Sequence, residues 1–377
     1  MNHLCIKNGA VYHPMRHEFR KEDVFISGSA FSADAPKGNY IEIDASGCIV
    51  TPGLIDYHVH YFNRGTESGV NPDAMSFPCG ITTAVDAGSC GAANYELFRS
   101  SVAANSDVRL YCQLLMGSGG QITNQYPEHL EAKYFDREKI SGLFARYRGD
   151  LVGLKLKMSN SIISREDAEE SVVETVKLAA ELGTRVVVHI TDPAIDLELL
   201  CSLLRPGDVV CHCYQGKGTK NILNSDGTVR SGIIEARKRG IIFDACNGKN
   251  NFDLEVCKSA LSHGFKPDVI SSDMNSSSSF LQPLHSLPRI MSKYLSFGLN
   301  LTEILDAVTI VPARLIGNEA LVSLKPGTDG DLSIFKVKNE HIDFCDIAGH
   351  KMTGDKVIIP QMTIKSGKVM YCQADFA

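Results

Sequence analysis

Past Gly80 the chain alternates short β-branched runs with amphipathic helical stretches, a rhythm that restricts it to folds built from strand-helix units around a parallel sheet. Eight runs read as strands: IVTPGLIDYHVHY, GITTAVDAG, RLYCQLLMG, LVGLKLKMS, RVVVHI, DVVCHCY, IIFDAC and DVISSD. Eight strands predict an α/β fold, a TIM-type (β/α)8 barrel over residues 50–324. The helices between them carry ordinary punctuation. Ser164 precedes REDAEESVVETVKLAAEL as an N-cap, with Asp167 three residues on, and Gly183 follows as a stop.

The two ends of the chain are written differently. LCIKNGAVY, DVFISGSAF and YIEIDASG before the barrel, and LSIFKV and KVIIPQMTIKSGKVMYC after it, read as short antiparallel strands. Residues 1–49 and 325–377 are therefore expected to form one small β-sandwich domain flanking the barrel. The length of 377 residues suits this division, since such barrels alone run to about 250.

Composition excludes several kinds of partner. A net charge of −6 with 22% charged residues and no Lys/Arg-rich block predicts neither nucleic acid nor an anionic membrane as partner. The start, MNHLCIKNGAVYHP, lacks a secretory pattern, and no apolar run approaches the roughly 18 residues of a membrane span, so a cytoplasmic protein is expected. Twelve cysteines scattered through apolar segments without CxxC pairs are expected as free thiols. A small-molecule substrate is the expected partner, and assembly as a homo-oligomer is compatible with the sequence.

In VTPGLIDYHVHYF, His58 and His60 stand at i and i+2, so strand alternation points both one way and Tyr57, Val59 and Tyr61 the other. Two imidazoles on one face can grip one ion. Other strands also end in ligand-type residues: Lys155 and Lys157 in LKLKMS, His189 in VVVHI, His212 in VCHCY and Asp273 in ISSDM. Each alone has an ordinary structural explanation, but all five strand ends are expected to share one mouth. By the same alternation Cys211 and Cys213 should pack outward if His212 points inward, leaving imidazole and carboxylate donors without thiolate. That set suits a catalytic centre with open positions better than a closed structural zinc.

With these residues in hand, TPGLIDYHVH, the strand-four lysine, the single histidines ending strands five and six and the strand-eight aspartate together resemble the metal-dependent amidohydrolase superfamily. GITTAVDAGSCGAANYELF, VGLKLKMS and TIVPARLIG resemble its dihydroorotase-like deacetylase branch, near the D-aminoacylases. The resemblance implies two divalent metal ions, commonly zinc, bridged by a lysine carboxylated by carbon dioxide. It assigns His58 and His60 to a buried metal, His189 and His212 to an exposed one, Lys155 to the bridge, and Asp273 to metal binding and proton transfer. Lys155 and Lys157 share a face by parity. The Gly-apolar-Lys order favours Lys155.

The implied reaction is hydrolysis of an amide or ester in a small acylated compound, an N-acyl amino acid or O-acyl hydroxy acid. A cyclic amidase of the dihydroorotase kind is the first alternative and an adenine deaminase-like aminohydrolase the second. Outside enzymes stands a non-catalytic scaffold that keeps the fold. After strand seven the chain reads CNG at 246–248 where relatives carry a histidine turn. Asn247 is thus a candidate for substrate contact, with Met158 and Tyr214 at the ends of strands four and six.

Overall fold

The Pro52-Gly53 pair ends one strand and begins another, and this break divides the chain between its sheets. Ile49–Pro52 pairs with Leu332–Cys345 and Ala10–His13, whereas Leu54–Val59 (β1) opens a parallel sheet. The run predicted as one strand is therefore two. Gly53 permits the close approach, since a Cβ there would fall 1.9 Å from Thr82 Oγ1. The computed structural model describes residues 3–280, 285–374 and 376.

From β1 the sheet continues through β2 (Ile81–Gly91), β3 (Arg109–Leu115), β4 (Leu151–Lys157), β5 (Val186–His189), β6 (Val209–Cys211) and β7 (Ile242–Asp244), each parallel to its sequence neighbour. The predicted eighth strand makes no continuous ladder. It meets both edges through single bridges, Asp244 with Val269 and Val59 with Met274. Backbone bonds from Ala245 N to Val269 O, 2.9 Å, and from Asp273 N to His58 O, 2.8 Å, reinforce them. The sheet thus curls until one segment spans its two edges. Polar side chains replace ladder bonds here: Ser271 Oγ donates to both Asp244 oxygens at 2.8 Å, and Ser272 N donates to Asp56 Oδ1 at 3.0 Å.

Inside the curl, Tyr57, Val85, Val187, Val209, Cys211 and Val269 form one buried cluster. Helices cover the outside. Arg165–Leu182 begins where Ser164 Oγ accepts the Asp167 N–H at 3.1 Å and stops at Gly183, whose φ of +65° suits a residue without a Cβ.

The chain ends build two further sheets. One orders Ala30–Ser32, Val24–Ser27, His3–Lys7 and Ile41–Asp44; the other orders Lys368–Cys372, Lys351–Lys365, Leu332–Cys345, Ile49–Pro52, Ala10–His13 and Glu18–Lys21. Both ends of the chain thus meet in the second. The sheets are mixed rather than antiparallel throughout, because His3–Lys7 pairs in parallel with Ile41–Asp44, and Ala10–His13 with Ile49–Pro52. Leu4, Ile6, Val50, Leu332 and Ile364 share their core. All twelve cysteines are unpaired, with only Cys345 and Cys372 exposed. Among the described residues no helix is long and apolar enough to cross a membrane.

Candidate metal centre

The C-terminal ends of these strands bring six donors to one place, by a less regular route than alternation predicts. The register of β1 on β2 shifts between Asp56 and Val59. Val59 and Tyr61 pack on the helix side, but Tyr57 lies inside the curl with Val85 and Val187. Parity also fails on β6, where Cys211 points inward beside Lys155 and only Cys213 packs outward. His212 still reaches the mouth because its φ of +62° turns the chain as the strand ends. Asp273, φ +55°, and Cys246, φ +34°, adopt the same uncommon region at neighbouring strand ends. Such strain tends to gather at functional sites.

His58 and His60 have ring centroids 5.6 Å apart, His58 and His212 5.2 Å, and His189 and His212 4.4 Å. Asp273 Oδ1 stands 3.2 Å from His60 Nε2 and 3.8 Å from His58 Nε2. Donor atoms of His58, His60 and Asp273 lie within 4.8 Å of one another. Hydrogen bonds behind the rings orient them: Ser89 Oγ meets His60 Nδ1 at 3.0 Å, and the Cys246 carbonyl accepts from His212 Nδ1 at 2.8 Å. A carbonyl only accepts, so His212 carries its proton on Nδ1 and its lone pair on Nε2.

That lone pair provides a test of whether a metal fits. His212 Nε2 and His58 Nδ1 are buried with no hydrogen-bond partner among the described residues. A buried imidazole nitrogen without a partner is costly, and at His212 Nε2 a divalent cation would satisfy it. Protonation is disfavoured: burial first, then the Lys155 charge, holds His58 well below the usual imidazole range, and burial first, then His212, does the same for His189. Burial pushes His212 down to about 4 against the pull of Asp273. Burial would raise Asp273, but the His60 hydrogen bond and the His212 charge outweigh it and hold the carboxyl down to about 2. Neutral imidazoles and an ionised carboxylate form a metal-ligating set.

The two lysines differ sharply. Lys155 is 1% exposed, and its only polar partner among the described residues is the Cys211 thiol, 3.7 Å from Nζ. Gly88 makes room for it, since a Cβ there would come within 2.8 Å of Lys155 Cγ, at a φ of +88°. Lys157 instead pairs with Glu128 in a short contact at the cavity wall. A cavity of about 350 Å³ opens over His58, His60, Lys155, Lys157, His189 and Asp273. A larger one, about 770 Å³, lies by Arg185 and Arg205 near the strand beginnings, away from every donor named here.

The structure places the three expected substrate contacts outside this cavity. Met158 is fully buried, Tyr214 donates to the Phe265 carbonyl at 2.8 Å, and Asn247 faces a second cavity, accepting from Lys293 at 2.8 Å and donating to Tyr294 at 3.1 Å. Sequence reasoning missed Asn251, whose Nδ2 donates to Asp273 Oδ2 at 2.7 Å while its Oδ1 accepts from Thr191 Oγ1 at 2.8 Å. It also missed Gly248, where a Cβ would sit 1.9 Å from Asp273 Oδ2. Their signal was faint, an Asn- and Gly-rich loop just after β7.

Comparison with known proteins bears on this geometry. The model of the amidohydrolase family matches residues 49–370. A deacetylase of Agrobacterium fabrum is 31% identical over 323 residues, 85% of this chain and 78% of that protein. A deacetylase of Brucella anthropi is 29% identical over 344 residues, 91% and 85% of the two. The crystal structure of a dihydroorotase superposes with a TM-score of 0.89 at 26% identity, covering 99% of this chain and 98% of that one. A D-hydantoinase from a Thermus species, at 16% identity and a TM-score of 0.66 over 97% and 94%, shares the fold alone. The curled sheet is accordingly a TIM-type barrel.

Proposed function

From the premise that the chain belongs to the amidohydrolase family and is a hydrolase of amide bonds, we propose a metal-dependent deacylase acting on a small N-acyl amino acid or O-acyl hydroxy acid. The architecture we read for it is a (β/α)8 barrel with a β-sandwich built from both chain ends. His58 and His60 would hold one divalent ion, His189 and His212 a second, with Asp273 beside them and Lys155, carboxylated by carbon dioxide, between. Bound there, zinc or a similar ion supplies Lewis acidity and lowers the pKa of water.

The chain's own groups account for the remaining steps. Ser89 and the Cys246 carbonyl hold two imidazoles so that their second nitrogens face inward. Asp273 accepts the proton of the attacking water at Oδ1, the oxygen not engaged by Asn251, and returns it to the leaving nitrogen or oxygen. Lys155 is enclosed beside a thiol instead of a carboxylate, so no ion pair holds its Nζ away from carbon dioxide. Carboxylated in this way, Lys155 would supply a second carboxylate beside that of Asp273.

One observation carries the reading: His58, His60 and Asp273 bring donor atoms within 4.8 Å of one another, next to the unpartnered buried Nε2 of His212, in a chain whose curated relatives include deacetylases. Metal-loaded protein should be screened against N-acetyl, N-formyl and O-acetyl acids of both hands, with a cyclic amide as a separate arm. Turnover of an open-chain acylated acid is expected. Turnover confined to the cyclic amide would replace the deacylase reading with a cyclic amidase.

A further inference from the structure

A second cavity, about 270 Å³, lies on the other side of the loop that carries Asn247 to Asn251, and the metal-site mechanism does not use it. It adjoins the reacting carboxylate from two directions. Gly248 lines it and also packs on Asp273; His285 lines it and bonds through Nε2 to the carbonyl of Ser272, 2.7 Å away.

Its chemistry is cationic and aromatic. Lys293 is half-buried, and its ammonium is enclosed, 3.8 Å from the Phe252 ring centre and 2.8 Å from Asn247 Oδ1. Arg289 lies over the Phe344 ring at 5.1 Å and donates to the Asp343 carbonyl. Among the described residues neither cation, nor His285, has an ion-pair partner. The cavity's own carboxylate, Asp346, is turned onto the Leu254 N–H at 2.8 Å and His350 at 2.9 Å. An enclosed ammonium with only a neutral amide as acceptor is a poor structural element and a good anion receptor. Burial accordingly lowers Lys293 from its usual value to about 7, a cost an incoming anion would relieve.

We propose that this cavity is the subsite for the acid end of the substrate, with a carboxylate against Lys293 and Arg289 and an apolar side chain against Phe252 and Phe344. The assignment rests on the deacylase reading, naming where the acid of an acylated acid is held. It also gives Asn247 a role: its amide oxygen keeps the Lys293 ammonium aimed until the carboxylate arrives.

The test is equilibrium binding to metal-loaded protein, by calorimetry, of 3-phenylpropionate and its uncharged amide, with Lys293→Met and Arg289→Gln as variants. The acid should bind wild type at least about tenfold more tightly than the amide, a preference lost in both variants while metal content stays unchanged. Equal affinity of acid and amide for wild type would overturn the subsite, as would an undiminished preference in both variants, which would put the acid on the metals. Since no turnover is needed, failure of the deacylase reading is seen separately. An acid preference lost in the variants, in a protein that hydrolyses no acylated acid, would keep the subsite and discard that reading.

Discussion

Asn251 donates its side-chain amide to the Asp273 carboxylate, 2.7 Å from Oδ2, and is itself held by the Thr191 hydroxyl at 2.8 Å. The Asp273 carboxylate, the proposed proton carrier, is therefore held by a loop residue as well as by its own strand end. Removing the donor should free one oxygen and raise the Asp273 pKa, moving the acid limb of the rate profile to higher pH. Asn251→Ala is expected to lower kcat about tenfold with a small change in KM. A kcat and pH profile matching wild type would assign Asn251 a purely structural part.

Lys155 and Lys157 should separate cleanly. Lys155→Ala is expected to lose metal and activity, with partial rescue by short-chain carboxylic acids that occupy the vacated position. Lys157→Ala should retain metal and most of the rate but leave Glu128, 13% exposed at its side chain, without its partner, lowering stability by about 3 kcal/mol. Rescue assays and thermal melts of the two variants decide this, and a dead Lys157→Ala beside an active Lys155→Ala would reverse the assignment.

Gly248→Ala places a methyl where Asp273 Oδ2 now sits, 1.9 Å from the added Cβ. The carboxylate must move, since a real contact that short does not occur. At least about a hundredfold loss of kcat is expected, with a melting temperature within a few degrees of wild type. Retained activity would mean that the loop shifts and the aspartate does not.

These three predictions also mark how far the sequence could be read. The six strand-end donors were legible because a parallel barrel sends every strand's C-terminal end to one mouth, so spacing within each strand sufficed. Their orientation was not. Left-handed backbone at His212 and Asp273, and a register shift in β1, break the period of two on which alternation depends. Cys211 was expected outside and lies inside for that reason. Pairings such as Lys157 with Glu128, 29 residues apart, and Asn251 with Asp273, 22 apart, join residues from different loops, and no local pattern announces them. The split at Pro52-Gly53 was visible as a turn signal, but only the pairing of Ile49–Pro52 with Leu332–Cys345 shows that it separates two sheets.

Lys293 should reveal itself in the pH dependence of stability. Its pKa falls from 10.5 to about 7 on burial, so between those values the folded state binds fewer protons than the unfolded one and stability rises with pH. Below pH 7 the full penalty of a buried ammonium applies. Lys293→Met should therefore raise stability by a few kcal/mol at pH 6 and by little at pH 10, read from denaturant midpoints at both. A variant less stable than wild type at pH 6 would contradict an enclosed, unpaired ammonium.

Metal content tests the central claim most directly. Elemental analysis of purified wild type should find two divalent ions per chain, zinc foremost, and His58→Ala and His212→Ala should each hold at most one and lose turnover. Full occupancy with a normal rate in either variant would contradict the metal centre drawn from these strand ends.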